Sequence, residues 1–208
     1  MNKLQSNKTE SFSRYEFKFL LNKKKADQIE NEIKNFMVLD INADKKKSKK
    51  YFVRSLYFDT PDYANFYEKV DGIKLRKKFR IRSYTNKEDG KSNLFLEMKG
   101  RKNQKTYKLR TKILQEHLNF FSNQKNLFQL FKYYSRENKV INDFVFETLR
   151  KKIEPKIVVD YNRRPYINKF GLLFRLTFDT ELKSSTGQNI FDNDNNFNFK
   201  EFASGKTI

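Results

Sequence analysis

The stretch that most constrains the fold is 74-KLRKKFRIRSY-84, in which charged and apolar residues alternate with a period of two. Alternate residues of a β-strand point to opposite faces, so the pattern predicts a strand with one charged face and one apolar face. The charged face consists of five cations: Lys74, Arg76, Lys78, Arg80 and Arg82. The opposite face is apolar except for Lys77. Neighbouring cations on one strand face lie about 7 Å apart and repel unless water, salt or a bound anion separates them. The row therefore indicates a strand that faces an anion.

Several other stretches share this alternation, and segments with the apolar spacing of a helix lie between them. Alternating strands are predicted over 12–21, 94–101, 105–113 and 172–182, with two further strands over 51–60 and 156–167. Apolar residues at spacings of three and four predict helices over 23–39, 113–121, 127–134 and 139–152, with a short helical or irregular piece over 62–70. The expected fold class is therefore α+β with an antiparallel sheet. The stretches 44–50 and 183–199 are expected to be loops.

Two arrangements could explain the charged strand faces. An open antiparallel sheet with one solvated face would also alternate. A sheet that curls with its charged faces inward would form a closed β tunnel with a cationic lumen and helices packed outside. Recurring i, i+2 arginines favour the tunnel, as do the single carboxylates Glu16, Glu97 and Asp179, each on the same strand face as a cation. Arginine and lysine bind phosphate oxygens, and carboxylates among them can hold Mg²⁺ or Mn²⁺, so the predicted ligand is a polyphosphate.

Composition narrows the class of protein. Lys plus Arg is 45 against 25 Asp plus Glu, a formal charge of +20 that attracts polyanions, although an A+T-rich genome would produce part of this excess. Cysteine is absent, which excludes disulfides and thiolate chemistry. The sequence has no apolar run of membrane-spanning length and no apolar signal core, so we expect a cytoplasmic protein. We expect a mobile tail over residues 1–10 and a single domain over 11–208.

Seven segments in order resemble a known family: RYEFKF, VRSLYFDT, FRIRSY, LFLEMKGR, YKLR, VVDYNRRPY and FRLTFDTEL. They are similar to the VTC domain, the polyphosphate polymerase domain of the vacuolar transporter chaperone family, within the triphosphate tunnel metalloenzyme superfamily. The resemblance covers about Ser13 to Glu181. It implies a closed antiparallel tunnel of about eight strands with flanking helices. It also implies transfer of the ATP γ-phosphate onto a growing polyphosphate chain, with Mn²⁺ or Mg²⁺ as cofactor.

The resemblance and the charged faces together assign roles to individual residues. The predicted catalytic phosphate ligands are Lys18, Arg80, Arg82 and Lys99. The predicted substrate-binding residues are Lys78, Lys108, Arg110, Tyr161, Arg163 and Arg175, where either Lys108 or Arg110 matches the cation that the family places on that strand. The predicted metal ligands are Glu16, Glu97 and Asp179, although Glu97 and Asp179 could instead form cross-strand salt bridges. His117, the only histidine, is expected at the surface or in packing.

One departure from the family pattern leaves alternatives open. No segment after Glu181 resembles the family's late L-E-x-K strand, so either the tunnel lacks its last strand or the chain is truncated before it. The expected partners are ATP or another nucleoside triphosphate and inorganic polyphosphate. The lysine-rich loop over 44–50 could touch a membrane. The rival functions are a tunnel triphosphatase in which Glu97 orients water and a non-catalytic polyphosphate- or nucleotide-binding module. Nucleic-acid binding ranks last, because most aromatic residues fall opposite the cations.

Overall fold

The computed structural model describes residues 12–90, 92–103, 105–171, 174–191 and 196–208. The predicted tail over residues 1–10 lies outside these ranges, as do Leu172 and Leu173 at the start of one predicted strand. Within these ranges the fold is α+β, as predicted. None of the helices in the described part of the chain combines the length and the apolar character needed to cross a membrane.

The strands and helices follow in chain order. The strands are β1 (Phe12–Arg14), β2 (Leu21–Asn22), β3 (Met37–Leu39), β4 (Tyr51–Asp59), β5 (Leu75–Ser83), β6 (Leu94–Lys102), β7 (Lys105–Ile113), β8 (Glu154–Asn168), β9 (Arg175–Thr186), β10 (Lys200–Glu201) and β11 (Lys206–Thr207). The α-helices are α1 (Lys23–Ile33), α2 (Ile41–Asp44), α3 (Ala64–Val70), α4 (Leu118–Ser122), α5 (Leu130–Tyr133) and α6 (Lys139–Lys151). Two 3-10 helices, Gln115–His117 and Gln124–Gln129, accompany α4 and α5.

A large antiparallel sheet dominates the described residues. Its order is β1-β7-β6-β5-β4-β8-β9-β10, with β3 added beside β8, while β2 and β11 form a separate pair. The predicted large antiparallel sheet is therefore confirmed. The predicted closure is not, because no strand ladder among the described residues joins β1 to β10.

Residues 12–22, which begin at the edge strand β1, are nevertheless linked through β11 to β9, the strand next to the other edge. β1 and β2 are the two ends of one segment, residues 12–22, and β2 pairs with β11. The next residue, Ile208, exchanges both backbone hydrogen bonds with Asp179 of β9, at 2.8 and 3.0 Å. The C-terminal residues thus connect the β2 segment to β9, although they do not resemble the late strand of the family.

The apolar faces of β4 to β7 form the main core. Ile81, Leu96 and Met98 are fully buried against α6 and the preceding helices, where Phe144 and Tyr134 are their largest partners. Burial of each such side chain contributes about 1.5–3 kcal/mol. The core therefore holds the opposite, charged face of the sheet in a fixed position.

Two residues singled out by the sequence take part in this packing. Lys77, on the apolar side of β5, reaches α6 and forms ion pairs with Asp143 at 3.5 Å and Glu147 at 3.8 Å. His117 is buried, and its Nδ1 lies 2.9 Å from the Tyr134 hydroxyl. Burial lowers the pKa of His117. Of the surface and packing roles expected for this histidine, the structure shows packing.

A smaller core lies beneath α1, and the predicted helix over 23–39 is too long. The Asn22 side chain caps α1 by accepting from Lys25 N at 2.8 Å, and Ile33 packs against β8 and β9. The chain then turns, and β3 pairs with β8 from Met37 to Leu39. Strand pairing and the burial of Met37 override the helical spacing there.

The predicted strand over 12–21 is also only partly correct. Residues 15–20 belong to no ladder in the described part of the sheet. Tyr15 and Phe19 are exposed, and Phe17 is 78% exposed. The alternation is present, but none of the described helices covers the apolar side of this segment.

Candidate functional site

The charged residues of neighbouring strands meet on one surface of the sheet. The register places Tyr57, Arg80, Glu97 and Arg110 side by side across β4 to β7, because every second residue of a strand faces the same way. We call this surface the cationic face and define it by Tyr57, Arg80, Arg82, Glu97, Lys99, Lys108, Tyr161 and Arg163. The predicted convergence of cations on these strands is therefore present.

Glu97 is the centre of the cationic face. Its side chain is 1% exposed and accepts from Arg80 Nε at 2.7 Å, while Lys108 Nζ forms an ion pair with its other carboxylate oxygen at 2.5 Å. Arg82 Nε lies 3.7 Å away. Burial alone would raise the pKa of Glu97, but the charges of Arg80, Arg82 and Lys108 outweigh burial and lower it. Three cations therefore share one ionised carboxylate, which leaves the group with excess positive charge.

Two tyrosines and a serine orient the arginines. Arg80 Nη1 donates to the Tyr57 hydroxyl at 2.9 Å, and Arg82 donates to the Tyr161 hydroxyl at 3.1 Å. Arg82 Nε also lies 3.4 Å from Ser55 Oγ. Burial would raise the pKa of Tyr57, but Arg80 and Arg82 lower it overall. Sequence reasoning missed Tyr57 and Ser55, although they alternate with Leu56 along a predicted strand.

Arg163 extends the cationic face along β8. It forms a bidentate pair with Asp179, with Nε and Nη2 at 2.7 and 2.6 Å from the two carboxylate oxygens. Its guanidinium lies 5.1 Å from the ring centroid of Tyr161. Tyr161 itself lies in a register shift between Asp160 and Asn162, and bulges of this kind re-aim side chains near binding sites.

Lys99 and Lys18 share a second carboxylate. Lys99 Nζ lies 2.5 Å from Glu16, and Lys18 Nζ lies 4.0 Å from the same residue. Burial lowers the pKa of Lys99, while Glu16 opposes that shift. Lys18 is 71% exposed, so it is more open to solvent than the inward phosphate ligand that was predicted.

The structure separates Lys108 from Arg110, which the sequence could not. Lys108 binds Glu97 directly, and burial lowers its pKa to about 8, with Glu97 opposing the shift and Arg82 and Arg80 adding to it. The guanidinium of Arg110 instead lies 5.0 Å from the ring centroid of Phe95. Lys108 therefore belongs to the group around Glu97, whereas Arg110 lies beside Phe95.

The remaining predicted ligands, Lys78 and Arg175, lie outside the group around Glu97. Lys78 is half-buried on β5, and burial lowers its pKa. Arg175, the first residue of β9, lies 3.3 Å from Asp40. Arg175 also acts electrostatically on Tyr51, as does Arg163. Lys78 and Arg175 therefore extend the positive charge beyond the group around Glu97.

The three predicted metal ligands do not meet. Glu97 is bound by Arg80 and Lys108, Glu16 by Lys99, and Asp179 by Arg163. Within the described ranges, no cluster of three or more His, Cys, Asp and Glu side chains could hold a metal ion. These residues therefore do not fit a divalent cation held by protein carboxylates alone.

Comparison with known proteins gives one family assignment. The family model of the VTC domain matches residues 13–207, which is nearly the whole chain. Among solved structures, a proposed adenylate cyclase from Bacillus halodurans is similar at 11% sequence identity with a TM-score of 0.43, covering 84% of this chain and 74% of that one. A comparison with curated proteins finds no match.

Proposed function

The chain belongs to the VTC domain family, and we propose that it transfers the γ-phosphate of ATP onto a growing polyphosphate chain at the cationic face. The observation that carries the proposal is the group of Arg80, Arg82 and Lys108 around Glu97. Its excess positive charge is largely buried, and such charge is stabilised by an anion that replaces water. Phosphate oxygens supply that anion.

We further propose that the cationic face is the inside of a tunnel. Residues 12–22 leave β7 at one end and meet β11 at the other, and Ile208 of the same C-terminal segment bonds to β9. This route supports a sheet that wraps around the cationic face. An enclosed site would exclude water, which strengthens every charge interaction within it.

Phosphoryl transfer requires positioning and charge neutralisation more than covalent chemistry. Arg80 and Arg82 are held by Tyr57 and Tyr161, so their free N–H groups are set to grip the triphosphate. A terminal oxygen of the polyphosphate chain attacks the γ-phosphorus in line. The new P–O bond forms as the bond to the β,γ-bridging oxygen breaks, and the electron pair leaves with ADP. No proton transfer is needed, because the attacking oxygen is already an anion.

The predicted Mn²⁺ or Mg²⁺ has no step in this proposal, because its predicted carboxylate ligands are each held by cations.

The same ion pairing argues against the triphosphatase alternative. A carboxylate that orients water must be free to accept its proton, and Glu97 is buried, ionised and bound by three cations. The geometry therefore supports transfer over hydrolysis by Glu97.

The test is the product formed from ATP with either Mn²⁺ or Mg²⁺. We expect polyphosphate chains and ADP from the wild-type protein and neither from Arg80→Ala, with Arg136→Ala as a matched control at an exposed arginine on the helical side. If the products are ADP and orthophosphate without polyphosphate chains, the protein is a triphosphatase and not a polymerase. Binding of polyphosphate without any turnover would support the non-catalytic module.

A further inference from the structure

A second surface of the molecule carries a cluster of exposed apolar side chains. α3, the residue before it and the turn that leads into β5 present six aromatic or aliphatic residues between 43% and 67% exposed: Tyr63, Phe66, Tyr67, Val70, Ile73 and Leu75. We call this cluster the α3 patch. The rings of Phe66 and Tyr67 lie 5.4 Å apart in an edge-on contact. Contiguous exposed apolar side chains of this kind mark interaction sites on soluble folds.

The α3 patch is not a poorly packed part of the core. The opposite side of α3 is already fixed: Asn65 is buried, and Glu68 pairs with Lys151 of α6 at 2.5 Å. The backbone N–H groups that begin the helix are also satisfied, since Ala64 N donates to the Thr60 hydroxyl and Asn65 N to Asp59. The helix is therefore held in place with its apolar residues outward.

The charges around the α3 patch select the kind of partner. The exposed charged side chains beside the apolar ones are Lys69, Lys74, Asp62 and Asp71, and the half-buried Arg76 follows on β5, so the local charge is positive by one. A second copy of this chain would bring the same cations together, and its net charge of +20 would oppose association. The partner that fits is anionic as well as apolar.

The shape of the α3 patch points to a bilayer. Its side chains protrude from a short helix and a turn, and a lipid surface accepts protruding aromatic and aliphatic groups without a complementary pocket. Tyrosine favours the boundary between headgroups and acyl chains, and lysines beside it reach the headgroups. We propose that the α3 patch docks the protein on an anionic lipid bilayer.

This docking would orient the cationic face relative to the membrane. β5 leaves the α3 patch at Leu75 and continues through Lys78 to Arg80 and Arg82. One end of the cationic strand would therefore lie next to the lipid surface. Docking at the α3 patch does not depend on which reaction takes place at the cationic face.

The experiment is co-sedimentation with vesicles of equal parts phosphatidylserine and phosphatidylcholine, compared with phosphatidylcholine alone. We expect binding to the anionic vesicles only, and a loss of about tenfold or more in the partition coefficient for the double variant Phe66→Ser with Val70→Ser. Phe170→Ser is the matched control, because Phe170 is 74% exposed in the turn after β8. Circular dichroism and tripolyphosphate binding check that each variant is folded.

Three outcomes would overturn the proposal. Wild-type protein that stays in the supernatant does not dock on these lipids. A double variant that sediments like the wild type binds by charge alone, without the α3 patch. Absence of vesicle binding together with a dimer that the double variant abolishes, measured by light scattering, would make the α3 patch an interface between copies.

Discussion

The guanidinium of Arg80 and the carboxylate of Glu97 lie directly opposite each other across β5 and β6 and are joined at 2.7 Å. Removing the carboxylate charge in Glu97→Gln would leave Arg80, Arg82 and Lys108 without a counterion. Because one partner of a largely buried ion pair is lost, we expect a destabilisation of roughly 3–5 kcal/mol. Tripolyphosphate should raise the melting temperature of this variant more than that of the wild type. Equal shifts in the two proteins would contradict the central position of Glu97 in the anion site.

The hydroxyl of Tyr57 is predicted to fix Arg80 for phosphate binding. Tyr57→Phe removes the acceptor that lies 2.9 Å from Arg80 Nη1 and keeps the ring. We expect about 1 kcal/mol less binding energy for tripolyphosphate, or roughly fivefold weaker affinity by calorimetry. Tyr15→Phe, at an exposed phenol, should leave the affinity unchanged. An unaltered affinity in Tyr57→Phe would show that Arg80 needs no such support.

The pKa of Lys108, about 8, predicts that anion binding depends on pH. Tripolyphosphate affinity should fall as the pH rises through this value, because Lys108 loses its ammonium charge beside Glu97, Arg80 and Arg82. Lys108→Arg should bind with little change over the same range, and a fall as steep as that of the wild type would assign the effect elsewhere.

The same group has the opposite effect on the stability of the free protein. The usual pKa of lysine is 10.5, so the cost of keeping Lys108 charged in the fold is present below about 8. As the pH rises from there towards the usual value, Lys108 loses its proton in the folded protein and this cost is relieved. The free energy of unfolding therefore increases over this range. Thermal melts of the wild type and Lys108→Arg across this range, without ligand, measure it.

Any side chain at Gly100 is predicted to destabilise the fold unless Tyr107 is changed with it. A Cβ at Gly100 would lie 1.9 Å from Cζ of Tyr107, the residue opposite it on β7. Gly100→Ala should therefore displace the ring and destabilise the fold by about 1–3 kcal/mol. Thermal melts of Gly100→Ala, Tyr107→Ala and the double variant test the contact. The double variant should be more stable than the sum of the two single effects predicts.

Sequence reasoning was accurate where one strand decides the structure. The period-two alternation placed β5, β6 and β7 within one residue of their observed bounds, because side-chain facing depends only on the backbone of that strand. For the same reason Arg80 and Arg82 were placed on one face of β5, and Glu97 and Lys99 on one face of β6. The helix over 23–39 failed where a partner strand, β8, pairs with Met37 to Leu39.

The pairing within the candidate site could not be predicted in the same way. Whether Glu97 holds a metal or a cation depends on the register between β5, β6 and β7, which alternation in each strand leaves undefined. The choice between Lys108 and Arg110 depends on the same register. Tyr57 was missed because its strand has no row of charges to mark its inward side.

The pairing of β2 with β11 brings together residues from nearly opposite ends of the chain. Contacts between such distant residues incur a large loop-closure entropy before they give any stabilisation, and only two residue pairs contribute here. This junction should therefore form late in folding and open early in native-state hydrogen exchange, well before the hairpins of β5, β6 and β7. Any enclosure around the cationic face would thus open first at the junction of β2 with β11, while β5, β6 and β7 remain paired.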